Sequence, residues 1–454
     1  MNSKPHIAVV GSGIAGMASA WLLSRQYRVT LFEANDYLGG HTHTVDVTLE
    51  GKTHPVDTGF LVFNERTYPN LCALFDLFGV ESLESEMSFS VSMDEPDLEW
   101  AGSNLATIFG QKRNLIRRQF WAMLNDTLRF NKESKKWVQE NPHGDTTLRE
   151  FLFKGHYSSS FSEWYLLPMA AAIWSSPMGE ILNMPMHTFV RFCDNHGLLQ
   201  IFNRPTWRTV KNGGRTYVEK MAAHIADIRM NCAVHALSHE ANGQVRLQHT
   251  DGSDVFDKVV LACHTDQALQ ILRQDSSHQH AQQCQLLESV RYQPNHVVLH
   301  TDAAVMPRDH RLWAAWNYTS GEGAVMERPV GVTYWINRLQ HLPFQSPVLV
   351  TLNSAREINP SKVLAEFEYD HPIFDQAAIA AQQHLPAVQG HGNVWLAGAW
   401  TRYGFHEDGL RSAIEVAHGM GVQVPWETGW ASHSSTAANQ PIKRPSPRWS
   451  PAKA

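Results

Sequence analysis

His6-Ile7-Ala8-Val9-Val10-Gly11-Ser12-Gly13-Ile14-Ala15-Gly16 is the stretch that decides the fold. Its first five residues form a short, largely β-branched run, which reads as a strand buried on both faces. Glycines follow at once. Residues 17–26 then place Ala18, Trp21, Leu22 and Arg25 at helical spacing, and residues 28–33 (RVTLFE) read as a second strand ending in an acid, Glu33. Strand, glycine loop, helix, strand and acid within about 30 residues make a βαβ unit. Each part has a physical task. Gly11 allows the tight turn, Gly13 lets the backbone approach a pyrophosphate, and Gly16 lets the helix pack close to the sheet. Ser12, Ile14 and Ala15 lie between them, so the helix starts with free N–H groups and its positive dipole end facing an anion. Glu33, with Ala34 beside it, can accept hydrogen bonds from a ribose diol. The stretch is therefore read as a dinucleotide site.

Outward from this unit, the composition sets bounds. The chain has 454 residues, of which 43% are hydrophobic, 18% charged and 10% aromatic, with 15 Trp. That is enough for a large core or two sub-domains and excludes wholesale disorder. A net charge of −6 argues against a global attraction to nucleic acid. No apolar run approaches the roughly 20 residues of a membrane-spanning helix, and the first one leads straight into the glycine loop rather than reading as a signal peptide. Cys72, Cys193, Cys232, Cys263 and Cys284 are odd in number and form no CxxC pair, which favours a reducing, cytoplasmic setting. The 25 His follow no HExxH or Cys/His spacing, so no metal is expected and each is read as a surface or cleft residue.

Further along, residues 46–49 and 52–55 flank a Glu50-Gly51 turn as a hairpin. From 69 to 197 the chain reads as mainly helical, with the strongest periodicity over 71–78, 105–131 and 161–174. Alternating patterns return over 222–261. From 291 to 353 several strands suggest an antiparallel sheet with Trp and Tyr on one face. Helices are expected at 376–384 and 410–419, with a buried strand at 394–397. Residues 426–454 form a basic tail expected to be disordered. The fold class is α/β: a Rossmann-type dinucleotide-binding domain from residues 1–75, 205–270 and 390–425, with a mixed α+β substrate domain from 76–204 and 271–389.

Leu38-Gly39-Gly40-His41 soon after Glu33 resembles the flavin-containing amine oxidase superfamily, which includes monoamine oxidases, protoporphyrinogen oxidases, phytoene-type desaturases and FAD-dependent isomerases. There the glycine pair is followed by Arg, where this chain has His41. Val56-Asp57-Thr58-Gly59-Phe60 resembles the loop beside the isoalloxazine, and Asn212-Gly213-Gly214-Arg215 a second glycine turn. Val234 matches the valine whose backbone meets the adenine. Leu396-Ala397-Gly398, then Glu407-Asp408-Gly409-Leu410, resembles the C-terminal block, with Ala399 and Asp408 departing from its usual acids. The resemblance implies bound FAD, with Gly398 near the ribityl chain and the amides around Gly409 and Leu410 facing the flavin pyrimidine. A second GxGxxG is absent, against a reductase with separate FAD and NAD(P)H domains.

The resemblance also bears on the substrate. His406 stands where the family places part of an aromatic cage; it is the candidate acid/base, or a His that simply packs near the flavin. The family's lysine at flavin N5 corresponds to Asn295 or His296, which weakens an amine oxidase reading. The run from Phe60 to Pro69, with Asn64, Glu65 and Arg66, is similar to a bacterial subgroup associated with cyclopropane-fatty-acid synthase-like methyltransferases. That implies an acyl-lipid substrate and a lipid methyltransferase partner. Asn64, Glu65 and Arg66 either contact substrate or form a structural hydrogen-bond cluster. Trp313, Trp316, Tyr318, Tyr334 and Trp335 either line an apolar tunnel or fill a core. Basic residues from Lys112 to Lys136 alternate with Leu115, Ile116, Phe120 and Trp121, which suits either peripheral contact with the inner face of a membrane or a solvated helix face. The expected function is FAD-dependent desaturation of an acyl lipid. An amine oxidase making hydrogen peroxide, a double-bond isomerase and a non-catalytic flavoprotein partner of the methyltransferase remain as alternatives.

Overall fold

The computed structural model describes residues 4–141, 144–200, 204–320 and 331–427. Nearly all of the basic tail lies outside them. The opening unit forms as read. The strand His6–Val10 lies between Arg28–Phe32 and Lys258–Leu261, and Asp227–Arg229 and Val394–Leu396 complete a five-stranded sheet in which every pairing is parallel. Both faces are covered, which is why these strands read as apolar runs. Ile7, Val9, Leu31 and Val260 pack under the helices Ile14–Ser24 and His406–Gly419. Ala8, Val10, Phe32, Val259 and Leu261 pack against an antiparallel meander, Val234–His239, Val245–His249 and Gly252–Phe256, and the helices Thr265–Arg273, Ala281–Glu288 and Gln376–Val388.

A seven-stranded sheet forms the second layer system, in the order Val363–Pro372, Tyr292–His300, Leu349–Leu352, Gly331–Trp335, Trp316–Ser320, Phe89–Met93 and Leu98–Ala101. Its pairings are antiparallel except that Trp316–Ser320 runs parallel to Phe89–Met93. The helices between residues 118 and 195 cover one face and share its core.

Four readings change. The segment 69–197 is not helical throughout: Ser82–Ser85, Phe89–Met93 and Leu98–Ala101 are strands. FSVSM alternates with period two, and its serines are buried because Ser90 donates to Asn317 Oδ1 and Ser92 to Glu99 Oε1. The periodic stretch 105–131 is broken into Leu105–Ile108, a 3₁₀ turn at Lys112–Leu115 and the helix Arg118–Glu140. The break is anchored by Asn114, which is buried and donates to the Glu99 carbonyl. The Trp and Tyr side chains do not share one face. Trp316, Tyr318 and Tyr334 enter the large core, while Trp313 and Trp335 meet edge-on, at 5.4 Å, in a small cluster with Val305, Met306 and Leu349. Tyr334 and Trp335 are neighbours in a strand, so they must point to opposite sides. Finally, the last helix starts at His406, four residues before Leu410, because Asp408 turns back to accept from Phe405 N (3.0 Å) and Tyr403 N (3.2 Å).

Candidate functional site

The glycine loop sits at the carboxyl end of the central strand, where open α/β sheets bind their ligands. A Cβ on Gly16 would stand 1.8 Å from the Gly11 carbonyl oxygen, so only glycine lets the helix come this close. A Cβ on Gly13 would meet nothing within 4 Å; the chain leaves open space just there. The first intrahelical bond runs from Met17 N to Gly13 O (2.9 Å). That leaves the Ile14, Ala15 and Gly16 amides free of helix acceptors, and the first turn holds no acid to compete for them. This is an anion cradle.

Glu33 is buried at the end of the second strand. Its Oε2 accepts from Ser12 N (2.9 Å) and Ser12 Oγ (2.5 Å), and its Oε1 from Asn35 N (2.9 Å). It thus holds the loop in shape, and a carboxylate with about four lone-pair sites still has capacity for a diol. Ala34 beside it is exposed. Cys232 N donates to the Glu33 carbonyl (2.8 Å), which brings the strand starting at Val234 alongside Glu33.

Gly39 N reaches Ser12 O (3.1 Å), and Gly40 packs on Gly13. The chain then pairs with the loop after Asp57: Phe60 N donates to His41 O (2.8 Å) and Thr58 N to His43 O (2.9 Å). Gly59 lies against the His41 carbonyl, which a Cβ would approach to 2.2 Å. Asp57 ties this region to the second glycine turn. It accepts from Thr44 Oγ1 (2.5 Å), Gly214 N (2.9 Å) and Gln340 Nε2 (2.5 Å), and burial raises it to about 6.

At the last helix, Gly398 N donates to Ser412 Oγ (2.9 Å), which donates to Gly409 O (2.6 Å). A Cβ on Gly409 would reach Ile14 Cγ2 at 2.8 Å, so this helix docks onto the glycine loop itself. Because the helix begins early, the Gly409 amide is closed within it, donating to Phe405 O (3.1 Å), and Leu410 lies buried in its second turn. The amides at the helix start belong to His406 and Glu407. Asp408 is pushed up to about 6 by burial. Glu407, pushed up to about 7 by burial, accepts from Asn70 N and Leu71 N and so caps the helix Pro69–Phe78.

His406 stacks on Phe60 with ring centroids 3.8 Å apart, and its Nε2 hydrogen-bonds with Thr42 Oγ1 (2.8 Å) and Tyr217 OH (2.9 Å). Burial lowers it to about 3, so its ring is neutral. His41, His264 and His371 stand nearby. The His41 ring lies 5.8 Å from His264 and 5.3 Å from His371, and burial lowers all three, His371 to about 4. Each of the four keeps part of its surface open to solvent, which makes the space beside them the candidate recess. His41 Nε2 is nevertheless buried without a hydrogen-bond partner among the described residues. An orphaned ring nitrogen able to carry a proton, the open space at Gly13 and the free helix amides all fit an anionic dinucleotide.

The family model for flavin containing amine oxidoreductases matches residues 14–327. The chain belongs to this family. Its cofactor is FAD. Among known proteins, it is 28% identical over 155 residues to 1-hydroxycarotenoid 3,4-desaturase of Flavobacterium sp. (strain P99-3), covering 31% of this chain and 29% of that protein. It is 25% identical over 274 residues to the Arabidopsis thaliana protein named "probable polyamine oxidase 4", covering 57% and 50%. The chain thus spans half or less of the length of these relatives. A conjugated-linoleic-acid-producing fatty acid isomerase from P. acnes shares the fold, with a TM-score of 0.64 at 14% identity over 92% of this chain and 99% of that one.

In this flavin amine oxidoreductase, Asn64 forms a hydrogen-bond cluster: its Oδ1 accepts from Arg66 N and Thr67 N, both at 3.0 Å. Glu65 and Arg66 are exposed. Asn295 is buried and its Nδ2 donates to the Gln293 and Tyr369 carbonyls, while His296 is exposed and pairs with Glu366 at 3.2 Å. Neither offers a mobile ammonium to the recess. Beyond His406 runs an aromatic wall: Phe405 stacks on Phe192 at 4.8 Å, and Phe192 on His196 at 4.0 Å with Trp174 4.5 Å away. Sequence reading missed Tyr217, His264 and His371, while Asp57 and Glu407 stood in the quoted motifs without a role of their own. Only His264 had a usable signal, since it follows the strand that ends opposite the glycine loop.

Proposed function

We propose that this chain is an FAD-dependent enzyme that dehydrogenates a hydrophobic acyl-lipid chain. The observation that carries this reading is the strand Tyr292–His300, where Asn295 is locked and the exposed His296 is engaged with Glu366, in place of the lysine of amine oxidases. Phe405 supports it, since it is partly exposed beside His406 and backed by the buried rings of Phe192 and Trp174, an apolar surface suited to an acyl chain. Bound FAD supplies the hydride acceptor. The residues of the glycine loop, Glu33, Gly39 to His41, Thr58 to Phe60, Val234, Gly398 and the start of the last helix would hold it. His406, the candidate catalytic residue, is neutral and makes a weak base at about 3. Its proposed role is therefore to hold Thr42 and Tyr217 in one hydrogen-bonded set against Phe60, while the second proton leaves to water.

Peripheral membrane contact belongs to the same reading. Ile116 is 86% exposed, with Leu115 and Trp121 each about half exposed, and Lys112, Arg113, Arg117 and Arg118 stand around them. A lipid methyltransferase partner and the division into cofactor and substrate domains given above are proposed likewise.

Lipid mass spectrometry of cells with and without the gene tests the function. A loss of two mass units in an acyl chain is expected. Unchanged mass with a moved double bond would make the chain an isomerase, an unchanged lipid profile would overturn both lipid readings, and hydrogen peroxide released with amines would restore the oxidase.

A further inference from the structure

Away from the cofactor cradle, three side chains distant in sequence converge at the edge of the meander. His239 ends the strand Val234–His239. Asp275 and His280 lie on the connection between Thr265–Arg273 and Ala281–Glu288. His239 Nε2 and His280 Nε2 are 2.9 Å apart, and each is 3.8 Å from Asp275 Oδ2. Asp275 and His280 are buried.

The protonation of His280 follows from its neighbours. Gln283 is fully buried, and its Nε2 donates both protons, to the carbonyls of Val388 and Val394 at 3.1 Å each. Its Oε1 must therefore face His280 Nδ1, 2.5 Å away. Nδ1 then carries the proton and Nε2 offers a lone pair. This is the arrangement of a metal-ligating imidazole, oriented by a hydrogen bond on its other nitrogen. Asp275 is held by Ser277, whose hydroxyl donates to Oδ2 (2.5 Å) and whose amide donates to Oδ1 (3.2 Å). His391, on the adjoining turn, is close enough to affect both rings electrostatically. That turn comes so near that a Cβ on Gly392 would stand 2.8 Å from His280 Cε1.

We propose that His239, His280 and Asp275 form a binding site for a divalent zinc ion, with His391 or water as fourth ligand. Three N and O ligands from two imidazoles, one of them buried, and a buried carboxylate suit zinc or a neighbouring transition metal better than magnesium or calcium. Zinc–nitrogen bonds of about 2.0–2.1 Å separate two tetrahedral nitrogens by roughly 3.3 Å, so the imidazoles need part by only a few tenths of an ångström. The ion would replace the proton that otherwise bridges the two Nε2 atoms. It would pin the strand that begins at Val234 to the helical layer beside it.

The test uses the full chain with FAD bound and no histidine tag. Zinc content is measured by plasma mass spectrometry, affinity by competition with a chromophoric chelator, and ligand type by the visible spectrum after cobalt replacement. About one zinc per chain is expected, with a tetrahedral cobalt spectrum, and binding should be lost in His239→Ala and in Asp275→Asn. Gln283→Ala, which leaves the ligands in place, should weaken zinc about 10- to 100-fold. The flavin absorption of each variant reports whether it has folded, and His239→Gln serves if His239→Ala has not. Wild-type protein that takes up no zinc, or folded variants that bind zinc as the wild type does, would overturn the proposal.

Discussion

Around the glycine loop the proposed cofactor cradle is mostly backbone: free amides at Ile14 to Gly16 and close backbone approaches that admit no Cβ at Gly16 or Gly59. The candidate substrate side is bounded by side chains instead, by Phe405 and the partly exposed His41, His264, His371 and His406. A backbone surface tolerates few substitutions but leaves a spaced motif in the sequence. A side-chain surface is free to vary, since one large apolar group can replace another while the volume is kept. One family can therefore keep its flavin and change its substrate.

Substitutions should separate the two regions. The largest effect is expected from Gly16→Val, whose side chain would drive into the Gly11 carbonyl; purified protein should carry no flavin absorption. A yellow Gly16→Val variant would show that the loop can yield. Next comes Phe192→Ala, buried and ringed by aromatics. It should cost about 3–5 kcal/mol in denaturant unfolding yet keep its flavin, and loss of the cofactor there would mean the two regions are not separable.

Glu407 gives a smaller effect that depends on pH. Its folded value of about 7 lies above the ordinary 4.5, so the folded state binds the extra proton and gains stability as pH falls from about 7 to 4.5. Above 7 it carries a buried charge. Glu407→Gln lacks this dependence, so its stability relative to wild type should improve by roughly 3 kcal/mol between pH 4.5 and 8. A difference that is constant with pH would show that the carboxyl is not held in its acid form. The smallest change in stability, within about 0.5 kcal/mol, is expected for Ile116→Glu, which is nevertheless expected to reduce sedimentation with anionic vesicles. Unchanged sedimentation would remove the membrane contact.

The same contrast explains what could be read beforehand. HIAVVGSGIAG declared the parallel sheet, the helix and the anion cradle because Gly11 and Gly16 answer local steric demands and Gly13 leaves open space. The hairpin before Asp57 and the meander were visible as period two. The strand Phe89–Met93 was hidden because its buried faces include serines, whose partners Asn317 and Glu99 come from other strands. The early start of the last helix depended on Asp408 turning back to Phe405, a bond that helix periodicity does not register. The histidines were the least legible. His41 and His406 stood in the family motifs, but the set they form with His264 and His371 exists only where the fold brings the four together, and His239 and His280 meet only beside Gln283.

The contact of Gly409 with Ile14 also governs how the protein is made. Nearly four hundred residues separate the two, and at about 5–20 residues per second the ribosome needs roughly 20–80 s to pass from one to the other. Through that interval the first strand and helix exist without the helix that covers them and without the edge strand Val394–Leu396. The nascent chain must hold an exposed apolar sheet for that time, so chaperone supply and translation speed should govern the yield of flavin-loaded protein more than the affinity of the finished site does.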